Sequence, residues 1–425
     1  MNILVVSPFY APYAGVGARR MTSLSEYLQT HGHQVTVVRD SPNCWNGQVV
    51  QAHINPSIEV LDVYYESGRL DAIRAYKHHL ECLLSERTFD VAVFSCGPYY
   101  VMLLGPAFRR KYGQEYVIDQ RDLWLFERKK YKLPILKRLK KLIAELLLLP
   151  VEGRAFSKSL GMVTVSRMDH EVLRRRYPLN RNRLYCIPNG YEHSHQVLTD
   201  RDVPDTPYVV YFGKFSYYGT AVVESVLSAI HRVNQQGYPL KLLHIGAPED
   251  ELNDAARNMS LPSGIVVSTG YLQYDVGMTY LSKAVAGILS SNFGNAPGTK
   301  VFDYISADKP IIACVSKSSA VAEVLAEAKH AYICQTSDQV ANALLQILQH
   351  GISSLGMTNR ERFSRSAANE RYEKLLVQLV SKRGGRLRQL ARVRRIFRMP
   401  PNSTNFEDTS ARSPQPESHP PNSVC

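Results

Sequence analysis

The chain has 425 residues, 44% hydrophobic and 21% charged, which suits two domains with well-buried cores and excludes a disordered or fibrous protein. Its net charge of +13 is local, since eight basic residues and no acid lie between Arg128 and Lys141, and eight more and no acid between Lys382 and Arg398. Without those sixteen charges the remainder carries −3, so the protein is not a diffuse polycation.

The seven cysteines (Cys44, Cys82, Cys96, Cys186, Cys314, Cys334 and Cys425) are widely spaced, odd in number and form no CxxC. That pattern argues against a disulfide framework and a structural zinc site, and predicts a reducing compartment. The opening stretch MNILVVSPFYAPYAG has no basic region followed by a cleavable apolar core, so no signal peptide is expected and the protein reads as cytoplasmic.

In chain order, an apolar strand over 2–6 leads into the loop SPFYAPYAGVGARR, a helical pattern through Met21, Leu24 and Leu28, and a second strand in HGHQVTVV. Strand, glycine loop, helix and strand in under forty residues make a βαβ unit with a right-handed crossover. Further strands are expected at 58–63, 90–95, 116–118, 162–165 and 185–187, with helical stretches between several of them. The uncharged run 91–108 holds two Gly-Pro breaks and reads as strand, loop and helix start, not as a membrane span.

The turn-rich DRDVPDTPY (200–208) resets the pattern. A strand in YVVYFGK follows, then a helix over about 221–236 and strands at 240–245, 265–268, 285–290, 311–315 and 331–333. The expected fold class is α/β, two Rossmann-like domains facing a central cleft, with domains at 1–200 and 204–380 and a basic segment plus disordered tail at 381–425. Such a cleft, outside the carboxyl ends of the strands, is where a ligand belongs.

Gly15 and Gly17 fall between the first strand and first helix, with Arg19 and Arg20 beside them. Backbone approaching a phosphate or sugar at a helix start explains them, and an ordinary βα loop explains them equally well. GVG is short of a full dinucleotide fingerprint, and Asp40, at the end of the second strand, is the one acid placed for a ribose. A dehydrogenase is therefore not favoured. The stretch SSNFGNAPGTKVFDYISADKPIIA (290–313) places glycines, a proline, a lysine and an aspartate at a helix start between two apolar runs, which suits an anionic ligand.

Several motifs, in order over roughly residues 1–335, resemble the retaining family-four glycosyltransferases of the GT-B fold. They are the opening SPFYAPYAGVGARRMTSLSEYLQTHGHQVTVV, then DQRDLW (119–124), VTVSRMDHEVLRRRY, IPNGYE (187–192), YFGKF (211–215) and GTKVFDYISADKPIIA. The resemblance implies sugar transfer from a nucleotide-sugar donor with retained anomeric configuration and no metal or other cofactor. It implies a donor-binding set of Gly15, Gly17, Lys214, Gly298, Thr299, Lys300 and Asp303. Lys214 matches the first basic residue of the family's diphosphate-binding pair. The second falls on Tyr218, so Lys300 is the candidate substitute.

The family's two motif glutamates fall on Asn295 and Asp303, of which Asp303 can still accept hydrogen bonds from a ribose, whereas Asn295 carries no charge. The family's histidine-aspartate pair falls on Arg121 and Asp122. The implied catalytic set is Asp122 to orient or deprotonate the acceptor, Arg121 near the developing phosphate charge, and Asn295 near the transferred sugar. A loop ion pair between Arg121 and Asp122 supporting Trp124 is an equally good reading. Glu192 reads as structural or interdomain support, with Asn189 and Gly190 in a turn.

In RKKYKLPILKRLKKLIAELLLLPVEGRAF (128–156), Leu136, Leu139, Ile143 and Leu147 share a helical face, and Lys137, Arg138, Lys140 and Lys141 fall largely elsewhere. An interfacial helix on anionic lipid fits this pattern, and so does a core helix with a solvated basic flank. Nucleic acid is the third reading, but no nucleic-acid-binding module accompanies the two basic patches. The resemblance, to a family that often uses lipid-linked acceptors, implies as partners a nucleotide sugar, a saccharide or polyprenyl-diphosphate-linked acceptor, and the inner face of the cell membrane, in cell-surface polysaccharide synthesis. The alternative is a non-catalytic lipid-binding or scaffold protein of a polysaccharide assembly complex.

Overall fold

The computed structural model describes residues 1–396 apart from 14–15, 46, 50–53, 67, 124, 126–134, 193–203, 217–218 and 292–295. At helical positions 16, 135–136, 138, 141 and 383–396 it describes the backbone alone. Gly15, Trp124, Tyr218, Asn295, the side chains of Arg138 and Lys141, and the tail expected to be disordered lie outside the described residues.

The first half runs β1 (Asn2–Val6), α1 (Val16–Thr30), β2 (Gln34–Asp40), β3 (Glu59–Val63), α2 (Arg69–Glu86) and β4 (Val91–Cys96). It continues with α3 (Tyr100–Tyr112), β5 (Tyr116–Gln120), α4 (Ile135–Lys158), β6 (Gly161–Thr164), α5 (Arg167–Arg176) and β7 (Leu184–Cys186). Its seven strands are all parallel, in the order β3-β2-β1-β4-β5-β6-β7.

The second half runs β8 (Tyr208–Phe212), α6 (Thr220–Gln235), β9 (Lys241–Ile245), α7 (Asp250–Asn258), β10 (Val266–Ser268) and α8 (Tyr274–Lys283). Then come β11 (Ala286–Ser290), α9 (Lys300–Ser306), β12 (Ile311–Cys314), α10 (Ala320–Leu325), β13 (Ala331–Cys334), α11 (Ser337–Gln349) and α12 (Arg365–Ile396). This six-stranded parallel sheet has the order β10-β9-β8-β11-β12-β13. Strand order reverses between β1 and β4 in one sheet and between β8 and β11 in the other. These are the two switch points where open parallel sheets leave a crevice.

Parallel strands covered on both faces read as unbroken apolar runs. Along β1, Leu4 and Val6 enter one core cluster while Ile3 and Val5 enter the other, so both faces of the sheet are buried. Each strand expected from the sequence is present within about two residues, as hydrogen-bonded assignment allows.

The start of α12, expected in the second domain at 204–380, packs instead with the first half. Ala368, Tyr372, Leu375, Leu376 and Leu379, spaced to share one helical face, pack with Ile3, Val5, Met21, Leu24 and Leu28 of the first half. The start of α12 thus belongs to the first sheet's core. The chain crosses between halves twice, and the crossings are paired: Tyr191 N donates to Phe363 O at 3.0 Å and Arg365 N donates to Tyr191 O at 2.7 Å. Residues 1–380 form one compact unit and 381–425 a second, of which only the helical residues 381–396 are described.

Candidate active site in the cleft between the sheets

A cavity of about 650 Å³ opens at the carboxyl ends of both sets of strands. From the first half it is lined by the start of α1 and the loops that follow β4 and β5, including Gly17, Gly97, Arg121 and Asp122. From the second it is lined by Ser290, Gly298, Thr299 and Lys300, the stretch after β11. Six of the site residues expected from sequence therefore meet in one cavity, although up to 283 positions separate them. Arg20, noted beside the glycine loop, lines it too, as do Asn189 and Arg365, which were not expected there.

Arg121, just past β5, is inserted between two glycines. Its guanidinium donates to Gly17 O and, at 3.1 Å, to Gly97 O. A Cβ at either glycine would lie 3.2 Å from that guanidinium, which accounts for glycine at both positions. Burial pushes the Arg121 pKa down, with Asp119 opposing the shift. Asp122 lines the same cavity and is solvent-exposed.

Arg20 is the larger organiser. Its guanidinium pairs with buried Asp119 at 3.0 Å and also donates to Ile187 O at 2.9 Å and Pro188 O at 3.1 Å. One side chain thereby ties α1 to β5 and to the IPNG segment. The sequence offers only two adjacent arginines after GVG, and nothing in that local pattern says which one turns inward.

In the second half, the Lys300 ammonium lies 4.8 Å from the centre of the Tyr211 ring and against Gly213, where a Cβ would come within 3.1 Å of Nζ. Gly213 has φ +77°, a conformation that favours glycine. Burial lowers the Lys300 pKa to about 8, while Glu249 and Asp303 act to raise it. Lys214, the expected partner in the basic pair, is exposed and is not among the cavity-lining residues. α9 is only seven residues long, so the positive character of this wall rests on Lys300 more than on a helix dipole.

Asp303 is buried one turn further along α9 and does not line the cavity. Its Oδ1 accepts from Tyr274 Oη at 2.8 Å, and the Arg19 guanidinium from the first half covers the Tyr274 ring at 4.6 Å. Burial raises the Asp303 pKa to about 6, with the Tyr274 bond, Arg19 and Arg365 opposing the shift. Glu192 pairs at 2.8 Å with Arg365 at the start of α12, a structural contact beside the crossings. Asp40 lies elsewhere: its two oxygens accept from Tyr76 at 2.7 Å and Tyr65 at 3.0 Å, which ties the carboxylate to α2 and the loop after β3.

The first half of α4 carries an exposed apolar stretch. Leu139, Leu142, Ile143, Leu146 and Leu147 are exposed, Leu147 by 71%, beside exposed Lys137 and Lys140. Only beyond residue 151 does the helix join the core, through Ala155 and Phe156. The core-helix reading therefore holds for its second half alone. No helix among the described residues is long and apolar enough to cross a membrane. Among the same residues no group of three or more His, Cys, Asp or Glu is placed to hold a metal ion.

Two Rossmann-like domains around a shared cleft define the GT-B architecture. The Glycosyltransferase Family 4 domain is matched over residues 17–195 and the Glycosyl transferases group 1 domain over residues 206–350, one in each half. The chain belongs to these families and is a glycosyltransferase.

Solved structures agree in fold. Sucrose-phosphate synthase from Thermosynechococcus elongatus is 17% identical, with 90% of this chain and 100% of that chain covered at a TM-score of 0.69. HepE from Anabaena, in complex with UDP and glucose, is 13% identical over 89% and 100% of the chains, with a TM-score of 0.63. WaaG, a glycosyltransferase involved in lipopolysaccharide biosynthesis, is 15% identical over 89% and 98%, with a TM-score of 0.59. No curated protein matches the chain in sequence. UDP-GlcNAc 2-epimerase from Methanocaldococcus jannaschii shares the fold at 10% identity, so the architecture alone does not specify transfer, and the two family domains do. None of these likenesses supports the scaffold alternative.

Proposed function

We propose that the protein transfers a sugar, with retention, from a nucleotide-sugar donor to a lipid-linked saccharide in cell-surface polysaccharide synthesis. The observation that carries this reading is the single cavity joining Gly17, Arg121 and Asp122 of the first half to Gly298, Thr299 and Lys300 of the second. The donor diphosphate lies against Lys300, with the acceptor on the Asp122 side; Asp303, behind the cavity wall, reaches a ribose only if its bond to Tyr274 opens. In the reaction an acceptor oxygen bonds the anomeric carbon as the bond to the diphosphate breaks. The nucleoside diphosphate leaves with the electron pair, and the acceptor proton passes to a phosphate oxygen on the same face of the sugar.

Arg121 and Lys300 put positive charge where negative charge develops, which is the electrostatic contribution such a transfer needs most. No nucleophile from the chain and no metal enters this scheme. Asn295, in the place of a family carboxylate, supplies hydrogen bonds to the sugar and no charge. HepE was solved with UDP and glucose, which favours a uridine nucleotide sugar as the first donor to try.

The exposed leucines and lysines of α4 suit the inner surface of an anionic membrane. The apolar side chains enter the interface, and each lysine contributes on the order of 1 kcal/mol. Purified protein with a panel of nucleotide sugars and a polyprenyl-diphosphate saccharide is expected to release nucleoside diphosphate. Failure of UDP, GDP and ADP all to bind in titration calorimetry would overturn the reading.

A further inference from the structure

Beneath the Lys300 wall lies a buried acid that the scheme above leaves unused. Glu249, just before α7, is 3% exposed. Its carboxylate accepts from the backbone N–H groups of Phe215 and, at 2.7 Å, Ser216. His244 Nε2 stands 3.3 Å from Glu249 Oε1 and 2.9 Å from Gly213 O. The acid therefore grips the far end of the Gly213–Ser216 loop while His244 holds its near end. The ring of Phe215 in that loop stacks on Tyr211 at 3.9 Å, and Tyr211 is the ring under the Lys300 ammonium.

A carboxylate this deep is costly unless donors satisfy it, and the N–H groups of Phe215 and Ser216 do so. We propose that Glu249 is a positioning residue for donor binding: by holding the Phe215 and Ser216 N–H groups it fixes the loop that shapes the Lys300 wall. The proposal rests on the reading of this wall as the diphosphate site.

The charge balance gives the sign. Lys300 faces Glu249 from the α7 side and Asp303 on α9, and both carboxylates favour its protonated form, whereas burial disfavours it. Tyr211, the ring beneath it, bonds to Ser290 Oγ at 2.9 Å. Removing the Glu249 charge therefore makes Lys300 lose its proton at lower pH, and diphosphate affinity falls earlier as pH rises.

The test is UDP, GDP and ADP affinity measured by calorimetry from pH 6.5 to 9.5 on the full chain. Above about pH 7 a phosphate of second pKa near 6 no longer titrates, and adenine, unlike uracil or guanine, has no ring N–H to lose in this range, so the alkaline fall with ADP reports the protein. Wild type is expected to lose affinity through a midpoint near or above the Lys300 value of about 8. Glu249→Gln moves that midpoint down by about one unit, as loss of one nearby charge allows. Glu249→Asp keeps the charge and the midpoint but weakens binding about threefold to tenfold, because a shorter side chain no longer reaches both N–H groups. Lys300→Arg removes the alkaline fall altogether, since a guanidinium stays charged.

An unmoved midpoint in folded Glu249→Gln, an unaltered affinity in Glu249→Asp, or an alkaline fall that persists in Lys300→Arg each overturns the inference while leaving the diphosphate site standing. Absence of nucleotide binding by wild type overturns both.

Discussion

Arg20 and Arg121 both line the cleft, yet their bonding gives them different work. Arg20 spends its donors on Asp119 and on carbonyls of the 187–188 segment, so it holds the wall together. Arg121 donates to two glycine carbonyls at the mouths of the loops after β1 and β4 and carries its charge to the cavity. Replacing Arg20 with Met leaves Asp119 buried without its cation, and is expected to lower unfolding stability by about 3–5 kcal/mol. Urea denaturation of Arg20→Met would show this, and a loss below about 1 kcal/mol would contradict the ion pair's role. Adding Asp119→Asn should recover part of the loss. Sequence motifs located Lys300, Arg121 and Asp122 because those residues stand in ordered family stretches. Glu249 and Arg365 escaped notice, and Arg20 was noted only beside the glycine loop, because their partners lie 34, 173 and 99 positions away along the chain.

At the scale of elements, the strands were legible and the helix surfaces were not. A strand buried on both faces is a short run of apolar residues with turn residues at each end, and that pattern needs no knowledge of its neighbours. α4 shows the opposite case. Its leucines suit a core or a lipid interface equally well by spacing, and only packing separates them: Ala155 and Phe156 are buried, while Ile143 and Leu147 are 50% and 71% exposed. The paired substitution Ile143→Gln with Leu147→Gln should leave the melting temperature within about 2 °C, since exposed positions contribute little to folding. The same protein should bind anionic vesicles at least about tenfold more weakly, through lost apolar burial at the interface. Undiminished co-sedimentation of the folded variant would remove α4 from the membrane face.

Across the whole molecule, the two halves are joined by crossings that lie against each other. A Cβ at Gly190 would come within 2.7 Å of Arg365 N and Ser364 C and 2.8 Å of Phe363 O, all backbone atoms that cannot rotate away. Gly190→Ala is therefore expected to cost about 1–3 kcal/mol and to spread the crossings. Asn189 and Arg365, which line the cavity, flank that contact, so nucleotide affinity should fall along with stability. Calorimetric melting and nucleotide titration of the one variant would read both effects, and an unchanged melt would show that the crossings tolerate separation.

The architecture, the chain order of its strands and the family were written in local patterns: apolar runs of fixed length, glycines at loop bends, and motifs that keep their order. Which side chains share a cavity was not. Cleft lining, the return of α12 to the first sheet and the bare face of α4 all depend on contacts between segments far apart in the chain, and only folding brings those segments together.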